Sequence, residues 1–307
     1  MKTKVMVIGF SADAVCASRF AAAVGAGFAT IARHQFPDGE TRITLPPVLP
    51  QHLAIYQSLN NPNAKLVELL LAAKTARRSG VKHLTLVAPY LCYMRQDTAF
   101  LPGEAVSQTI IGEWLAQHFD AVLTVDPHLH RVHRLADAVP VKRAIALSAA
   151  AAIGRFLSAQ GRSIVLIGPD AESKQWVSVA ATAAGCAFAV CHKERHADRA
   201  TTVVLPEISL AGANVVLVDD IVSSGATLMS AARECTAKGA ARVDAAVVHA
   251  LYGDEVGAEL AASGITTVWS TDSVEHPTNA IPLNHLLASG FKDFVQYRHS
   301  TRVPTQR

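Results

Sequence analysis

Residues 214–228, NVVLVDDIVSSGATL, are the stretch that decides the fold prediction. An apolar run at 215–218 shows no polar alternation, which is typical of a strand covered on both faces, and it ends in Asp219 and Asp220. A loop of small residues follows, which lets the backbone close around a ligand. We expect the loop N–H groups, the hydroxyls and the next helix N-terminus to bind a phosphate. The two carboxylates would repel that phosphate, so we expect them to bind another part of the ligand, such as neighbouring ribose hydroxyls.

Similar apolar runs recur along the chain and alternate with Ala-rich helical stretches. These runs are residues 5–8, 84–88, 122–125, 164–167 and 243–248. Asn61 and Pro62 predict a helix start and Gly80 its end. A second helix is predicted from near Ala226 to Gly239. Alternation of this kind predicts an α/β fold of two domains, each with a largely parallel sheet flanked by helices, at 1–145 and 146–307.

Composition excludes several classes of protein. The net charge is only +3 and basic residues are scattered, so nucleic acid is not an expected partner. The five cysteines form no CxxC pair, which favours reduced thiols and a cytoplasmic protein over a disulfide framework. No signal-peptide pattern follows the N-terminal apolar run, and no apolar stretch is long enough to span a membrane. We therefore expect a soluble protein.

Polar clusters follow four of the predicted strands, where open α/β sheets bind ligands. The clusters are PYLCYMRQD, VDPHLHRVH, GPDAESK and VDDIVSSGAT. Together they predict one binding crevice between the two domains. An HxH pair after a strand, here His128 and His130, is also typical of metal hydrolases that bind zinc or iron. A plain strand-to-helix turn capped by Asp and Ser is the alternative for the last cluster.

The stretch at 214–228 resembles the phosphoribosyl-pyrophosphate loop of type I phosphoribosyltransferases and ribose-phosphate pyrophosphokinases. The resemblance implies that Asp219 and Asp220 hold the ribose 2- and 3-hydroxyls. It implies phosphoribosyltransferase-like domains and a 5-phosphate site. The residues of that site are Ser223, Ser224, Gly225, Ala226 and Thr227.

Further segments resemble the pyrophosphokinases in particular, in the family's order along the chain. They include FPDGET from Phe36, the run ending at Asp97, VDPH ending at His128, GPD ending at Asp170, and Lys193-Glu-Arg195. The resemblance implies an ATP site, a magnesium site at His128 and Asp170, and catalytic residues Lys193 and Arg195. The implied ATP-binding residues are Phe36, Asp38, Glu40, Arg95, Gln96, Asp97 and His128.

The implied activity is transfer of a pyrophosphoryl group from ATP to the 1-hydroxyl of ribose 5-phosphate, with Mg²⁺, giving phosphoribosyl pyrophosphate and AMP. The resemblance also implies a homo-oligomer whose nucleotide loop is shared between subunits. The loop reads SSGAT, where the family usually has DTAGT or STGGT. AESKQW after Asp170 is closer to archaeal-type members. A phosphoribosyltransferase, a non-catalytic synthase-associated regulatory subunit and a metal hydrolase remain as alternatives.

Overall fold

The computed structural model describes residues 5–195, 201–206 and 208–296, which form two compact units. One unit contains residues 5–147 and 283–296, and the other is Ser148–Pro282. No helix within the described residues is long and apolar enough to cross a membrane.

The first unit is built on a six-stranded parallel sheet. The strands of this unit are β1 (Val5–Gly9), β2 (Gly27–Thr30), β3 (Ala32–Gln35), β4 (Thr41–Thr44), β5 (His52–Tyr56), β6 (His83–Ala88), β7 (Ala121–Val125) and β8 (Arg143–Leu147). Its helices before residue 148 are α1 (Ala14–Val24), α2 (Pro62–Arg78), α3 (Ser107–His118) and α4 (Leu135–Ala138), with a 3₁₀ turn at Ser11–Asp13. The sheet order is β2-β1-β5-β6-β7-β8, and β3 and β4 form a separate antiparallel hairpin.

The second unit repeats this connectivity. Its strands are β9 (Val165–Gly168), β10 (Ala187–Val190), β11 (His192–Arg195), β12 (Thr201–Val204), β13 (Asn214–Val222), β14 (Arg242–Ala250), β15 (Ile265–Thr271) and β16 (Asn279–Ile281). Its helices are α5 (Ala150–Ser158), α6 (Lys174–Ala184), α7 (Ala226–Ala237) and α8 (Asp254–Ala262). The parallel sheet has the order β10-β9-β13-β14-β15-β16, and β11 pairs with β12 as an antiparallel hairpin. The predicted fold class is therefore confirmed, with the same strand order in both units.

The apolar patterns account for the elements. All five residues of β7 are buried, because helices cover both faces of a parallel sheet. Helix α2 starts at Pro62, as predicted, and buries Leu69, Ala72 and Ala76 at helical spacing. Gly80, with φ +90°, follows its end and reverses the chain toward β6.

The last described helix, α9 (Asn284–Gln296), belongs to the first unit. The ring of Phe291 packs edge-on against Phe20 of α1, with centroids 5.3 Å apart. Gly290 comes so close to β8 that a Cβ there would lie 3.0 Å from Leu147. The sequence pattern predicted this segment within the second domain, because a helical pattern does not reveal which sheet its apolar face will cover.

His118, at the end of α3, is expected to make the stability of the first unit depend on pH. Its ring stacks on Trp114 at 4.8 Å, and neither ring nitrogen has a hydrogen-bond partner of normal geometry among the described residues. Burial and the nearby charge of Lys74 lower the pKa of His118, and the Trp114 carbonyl offsets this only partly. The neutral ring is thus favoured in the fold, so this contribution is present above the unfolded-state pKa and is lost as the pH falls through the folded-state value.

We predict that His118→Phe will reduce the loss of stability between about pH 7.5 and about pH 5.5. Phenylalanine keeps the stacking on Trp114 but binds no proton. Urea unfolding followed by Trp114 fluorescence, in a background with Trp176→Phe and Trp269→Phe, reports on this unit alone. His133→Gln, at an exposed histidine, is the control and should keep the wild-type slope. Parallel curves for the wild type and His118→Phe would rule the assignment out.

Candidate active site

The loop at 223–225 connects β13 to α7, which confirms the predicted strand, loop and helix. Gly225 has φ +71°, and a Cβ there would lie 3.1 Å from Leu260 and 3.2 Å from Val256 of α8. A larger residue would therefore be strained and would push against α8. The N-cap residue of α7 is Gly225, which has no side chain to cap the helix, so the first-turn N–H groups can bind an anion.

Asp219 and Asp220 lie within β13, which continues for two residues beyond the predicted strand end at these carboxylates. Pairing with β14 continues as far as Val222 and Ala250. Asp219 is half-buried, while Asp220 is 4% exposed. One Asp219 carboxylate oxygen accepts the N–H of Asp220 at 3.0 Å.

The loop after β9 fixes the carboxylate of Asp170. Its Oδ1 accepts the N–H groups of Glu172 and Ser173, each at 3.2 Å. The buried hydroxyl of Ser173 in turn donates to the Asp170 carbonyl. Gly168 is required for this arrangement, because a Cβ there would lie 2.4 Å from the Ser173 hydroxyl. The sequence pattern GPD thus produces a carboxylate that main-chain N–H groups of the same loop hold in place.

Sheet order brings two of the predicted polar clusters, together with the segment that carries Lys193 and Arg195, to one edge of the second unit. Strands β10, β9 and β13 are adjacent and parallel, so their carboxyl ends lie side by side. The hairpin of β11 and β12 follows β10, the Asp170 loop follows β9, and the loop at 223–225 follows β13. Lys193 and Arg195 lie in β11, where they pair with Val203 and Thr201, but their side chains fall outside the described residues.

In the first unit, the loop after β6 carries Arg95, Gln96 and Asp97. The side chain of Arg95 is exposed. The Gln96 amide donates to Glu104 at 3.0 Å and accepts the hydroxyl and N–H of Ser107, at 2.5 and 3.3 Å. Glu104 also accepts the N–H groups of residues 100 and 101, which hold its pKa below the usual value. Gln96 therefore fastens its own loop to the start of α3.

Asp97 fastens the same loop to the segment after β7. Its Oδ1 lies 2.6 Å from the Arg131 guanidinium, and its Oδ2 accepts the Arg131 N–H at 3.1 Å. Burial of the carboxyl raises the pKa of Asp97, but these contacts outweigh it and the pKa lies below its ordinary value. An ATP contact by Gln96 or Asp97 stays a prediction, since the structure gives each side chain partners within the protein.

The predicted nucleotide residues Phe36, Asp38 and Glu40 form the turn of the β3–β4 hairpin. The Phe36 N–H donates to the Glu40 carbonyl at 2.8 Å, and Asp38 accepts the Glu40 N–H at 3.1 Å. The ring of Phe36 is 39% exposed, with the edge of His34 at 4.7 Å and Arg42 at 5.9 Å from its centroid. The hairpin thus presents an aromatic face at its tip.

The base of the hairpin is tied to α2. Arg33 of β3 forms an ion pair at 3.0 Å with Glu68, a buried residue of α2 that also accepts the amide of Gln57 at 3.3 Å. A buried carboxylate normally needs such partners.

His128 follows β7 and is half-buried. Its ring centroid lies 5.1 Å from that of His130, at a tilt of 38°. Between the strand and His128, Asp126 adopts φ +35°, which is uncommon for a residue other than glycine. The chain therefore turns sharply before presenting the histidine.

Known proteins are similar to this chain over most of its length. A family model described as the N-terminal domain of ribose phosphate pyrophosphokinase matches residues 5–118, and a phosphoribosyl transferase domain model matches 139–274. A ribose-phosphate pyrophosphokinase of Methanopyrus kandleri is 31% identical over 89% of this chain and 93% of its own. The chain belongs to the ribose-phosphate pyrophosphokinase family. It is an enzyme family, and the match to archaeal members confirms the expected resemblance to archaeal-type members.

Other similar proteins agree with this family membership. Ribose-phosphate pyrophosphokinase 2 of Archaeoglobus fulgidus is 32% identical over 92% of this chain and 98% of its own. The crystal structure of phosphoribosylpyrophosphate synthetase from Mycobacterium smegmatis has the same fold, with a TM-score of 0.81, 20% identity, and coverage of 96% of this chain and 99% of that one.

Two residues of this pyrophosphokinase chain were missed by sequence reasoning. Arg131 stands in the run HLHRVH, where nothing in the pattern indicates its partner Asp97. Lys65 binds the loop between β5 and α2, the counterpart in the first unit of the loop at 223–225. Its ammonium donates to the Ser58 carbonyl and the Asn60 side chain, both at 2.7 Å. In the first unit, a side chain of the protein thus supplies charge to this loop.

Proposed function

We propose that this chain is a ribose-phosphate pyrophosphokinase, transferring the pyrophosphoryl group of ATP to the 1-hydroxyl of ribose 5-phosphate. The products are phosphoribosyl pyrophosphate and AMP. The observation that carries the proposal is the sheet order β10-β9-β13, which aligns the β11–β12 hairpin, the Asp170 loop and the start of α7 at one edge. Family membership over 89% of the chain supports it.

The second unit would hold the sugar phosphate. The N–H groups at the start of α7 and the side chains of the loop suit the 5-phosphate. That site would use Ser223, Ser224, Gly225, Ala226 and Thr227. Asp219 and Asp220 would accept hydrogen bonds from the ribose 2- and 3-hydroxyls, which carboxylates do well.

The ATP site would use two segments of the first unit, the β3–β4 hairpin and the loop after β6. The exposed face of Phe36 suits stacking on adenine, with Asp38 or Glu40 accepting from its amino group. Arg95 offers a fork of donors for polyphosphate oxygens. Gln96 and Asp97 would act mainly by fixing the loop that carries Arg95.

Magnesium is the cofactor that these residues fit best. Mg²⁺ prefers oxygen ligands and keeps several waters, and the backbone-fixed carboxylate of Asp170 meets that preference. Imidazole suits later transition metals better, so we assign His128 to a metal-bound water. The ion would neutralise charge on the polyphosphate when bound.

The chemistry that remains for the chain is positioning and charge stabilisation. The loops would hold the ribose 1-hydroxyl in line with the β-phosphorus of ATP. We assign Lys193 and Arg195 to the negative charge that develops as AMP leaves.

We also place the protein in the cytoplasm. No disulfide joins any two of its five cysteines, Cys16, Cys92, Cys186, Cys191 and Cys235. Burial raises the pKa of Cys92, Cys191 and Cys235 to about 12 each, so these are unreactive core groups. A reducing compartment suits such a set.

One assay tests the function and its alternatives. Purified protein is incubated with ATP, Mg²⁺ and ribose 5-phosphate, and AMP and phosphoribosyl pyrophosphate are quantified. We expect both products only when the sugar phosphate is present. Consumption of phosphoribosyl pyrophosphate with a nucleobase would instead indicate a phosphoribosyltransferase. Absence of both reactions would favour a regulatory subunit.

The assembly proposal makes its own prediction. If the β3–β4 hairpin acts in a neighbouring subunit's site, Phe36→Ala removes a group that a subunit supplies to its neighbour, whereas Asp220→Asn removes a group of the subunit's own site. A hybrid of the two variants then contains one intact site. We expect partial recovery of activity after the two inactive proteins exchange subunits. Light scattering should show a dimer or larger species. A fully active monomer would contradict shared sites.

A further inference from the structure

We propose that Arg131 and Asp97 form a clamp that positions Arg95 and His128 for nucleotide binding. The inference rests on the proposed function and adds Arg131 to the residues that serve it. Arg131 is a positioning residue in this proposal, and Asp97 changes from a nucleotide ligand to its partner.

The contact pattern distinguishes the clamp from an ordinary surface ion pair. The Asp97 side chain is only 4% exposed, while that of Arg131 is 57% exposed. Both carboxylate oxygens are used, one by the guanidinium and one by the main-chain N–H of Arg131. The main-chain contact fixes the backbone of the second loop directly, which a pair of flexible side chains would not do.

The clamp joins two loops that each carry a proposed nucleotide group. Strands β6 and β7 are neighbours, and their carboxyl ends lead into the loops with Arg95 and His128. Asp97 lies two residues beyond Arg95, and Arg131 lies three residues beyond His128.

The backbone on both sides of Arg95 is held by further bonds. The Gln108 amide donates to the Met94 carbonyl at 2.9 Å, and the Gln108 N–H donates to the Gln96 carbonyl at 3.1 Å. Arg95 therefore projects from a segment fixed at residues 94, 96 and 97. Of these bonds, only the clamp connects the segment to the loop that carries His128.

The test is a double-mutant cycle of Asp97→Ala, Arg131→Ala and the double variant. We expect each single variant to raise KM for ATP by roughly tenfold to a hundredfold, because small misplacements of binding groups are costly. KM for ribose 5-phosphate should stay near the wild-type value. The double variant should be no worse than the more damaged single variant, since both remove the same connection. Arg131→Lys should fall between Arg131→Ala and the wild type.

Arg77 and Asp120 provide a matched control in the same unit. Asp120 also accepts an arginine guanidinium, at 2.7 Å from Arg77, and a main-chain N–H, at 2.9 Å from Leu84. This pair lies at the amino ends of β6 and β7, away from the proposed site. Arg77→Ala should lower the melting temperature without changing KM for ATP.

A second readout needs no activity. Hydrogen exchange at the Arg131 amide should accelerate in Asp97→Ala, because its acceptor is lost. Wild-type exchange together with unchanged KM would overturn the clamp. Additive effects in the cycle would also overturn it and would indicate separate contacts with ATP. A wild-type protein that forms no AMP would instead reject the proposed function, while the exchange result would still judge the clamp.

Discussion

Asp220→Asn is expected to reduce kcat/KM for ribose 5-phosphate by roughly tenfold to a hundredfold, since a bond to a charged group is worth about 1.5–3 kcal/mol. Asparagine has the same shape as aspartate, so it fits the buried position in β13. It offers one acceptor oxygen instead of two and carries no charge, and it places an amide donor toward hydroxyl groups. The loss should appear in kcat/KM for ribose 5-phosphate, measured by AMP formation.

Asp244→Asn is the matched control for this substitution. Asp244 is 3% exposed in the neighbouring strand β14, and it pairs with Arg242 at 2.7 Å near the start of that strand. Its replacement should lower the melting temperature and leave turnover unchanged. The opposite is expected of Asp220→Asn. Wild-type kinetics for Asp220→Asn would remove this carboxylate from the proposed sugar site.

Lys193→Ala is expected to lower kcat by roughly a hundredfold to a thousandfold, the usual cost of losing one charged contact at the barrier, about 3 to 4 kcal/mol. KM for both substrates should change little, because the proposed contact forms mainly in the transition state. The backbone of Lys193 lies in the β11–β12 hairpin, beside the strand end that carries the Asp170 loop. Alanine keeps this strand pairing possible.

Steady-state kinetics of the Lys193 variant separates three interpretations. A raised KM for ATP at constant kcat would mean that the lysine binds the ground state. An unchanged kcat and KM would remove Lys193 from the catalytic residues. Lys82→Ala, at an exposed lysine before β6, should behave as the wild type and controls for a general loss of positive charge.

Much of the fold followed from the sequence because its signals are local. Strands buried on both faces must be apolar throughout, so the runs at 84–88 and 122–125 identified β6 and β7. Helix α2 was predicted from Pro62, and α7 from Ala226, because helix starts have short-range chemistry. The phosphate-loop pattern was readable for the same reason: its glycine, hydroxyls and helix start are consecutive residues.

The misplaced features depend on partners far along the chain. Strand β13 extends to Val222 because β14, more than twenty residues later, is long enough to pair with it. Helix α9 belongs to the first unit because Phe20, near the other end of the chain, packs against Phe291. The residues at 219–222 and 284–296 do not by themselves indicate these distant partners.

The sequence by itself determined the α/β class and the small-residue loop after the carboxylates, and it supplied the candidate site residues. Each of these depends on residues close together in the sequence, whose propensities and spacing act over short distances along the chain. Only the tertiary structure decided which strand ends are adjacent, and which candidate residues bind the protein itself rather than a ligand. The Asp97 carboxylate shows why: a charged group pairs with whatever donor the fold brings near, and Arg131 stands 34 residues away.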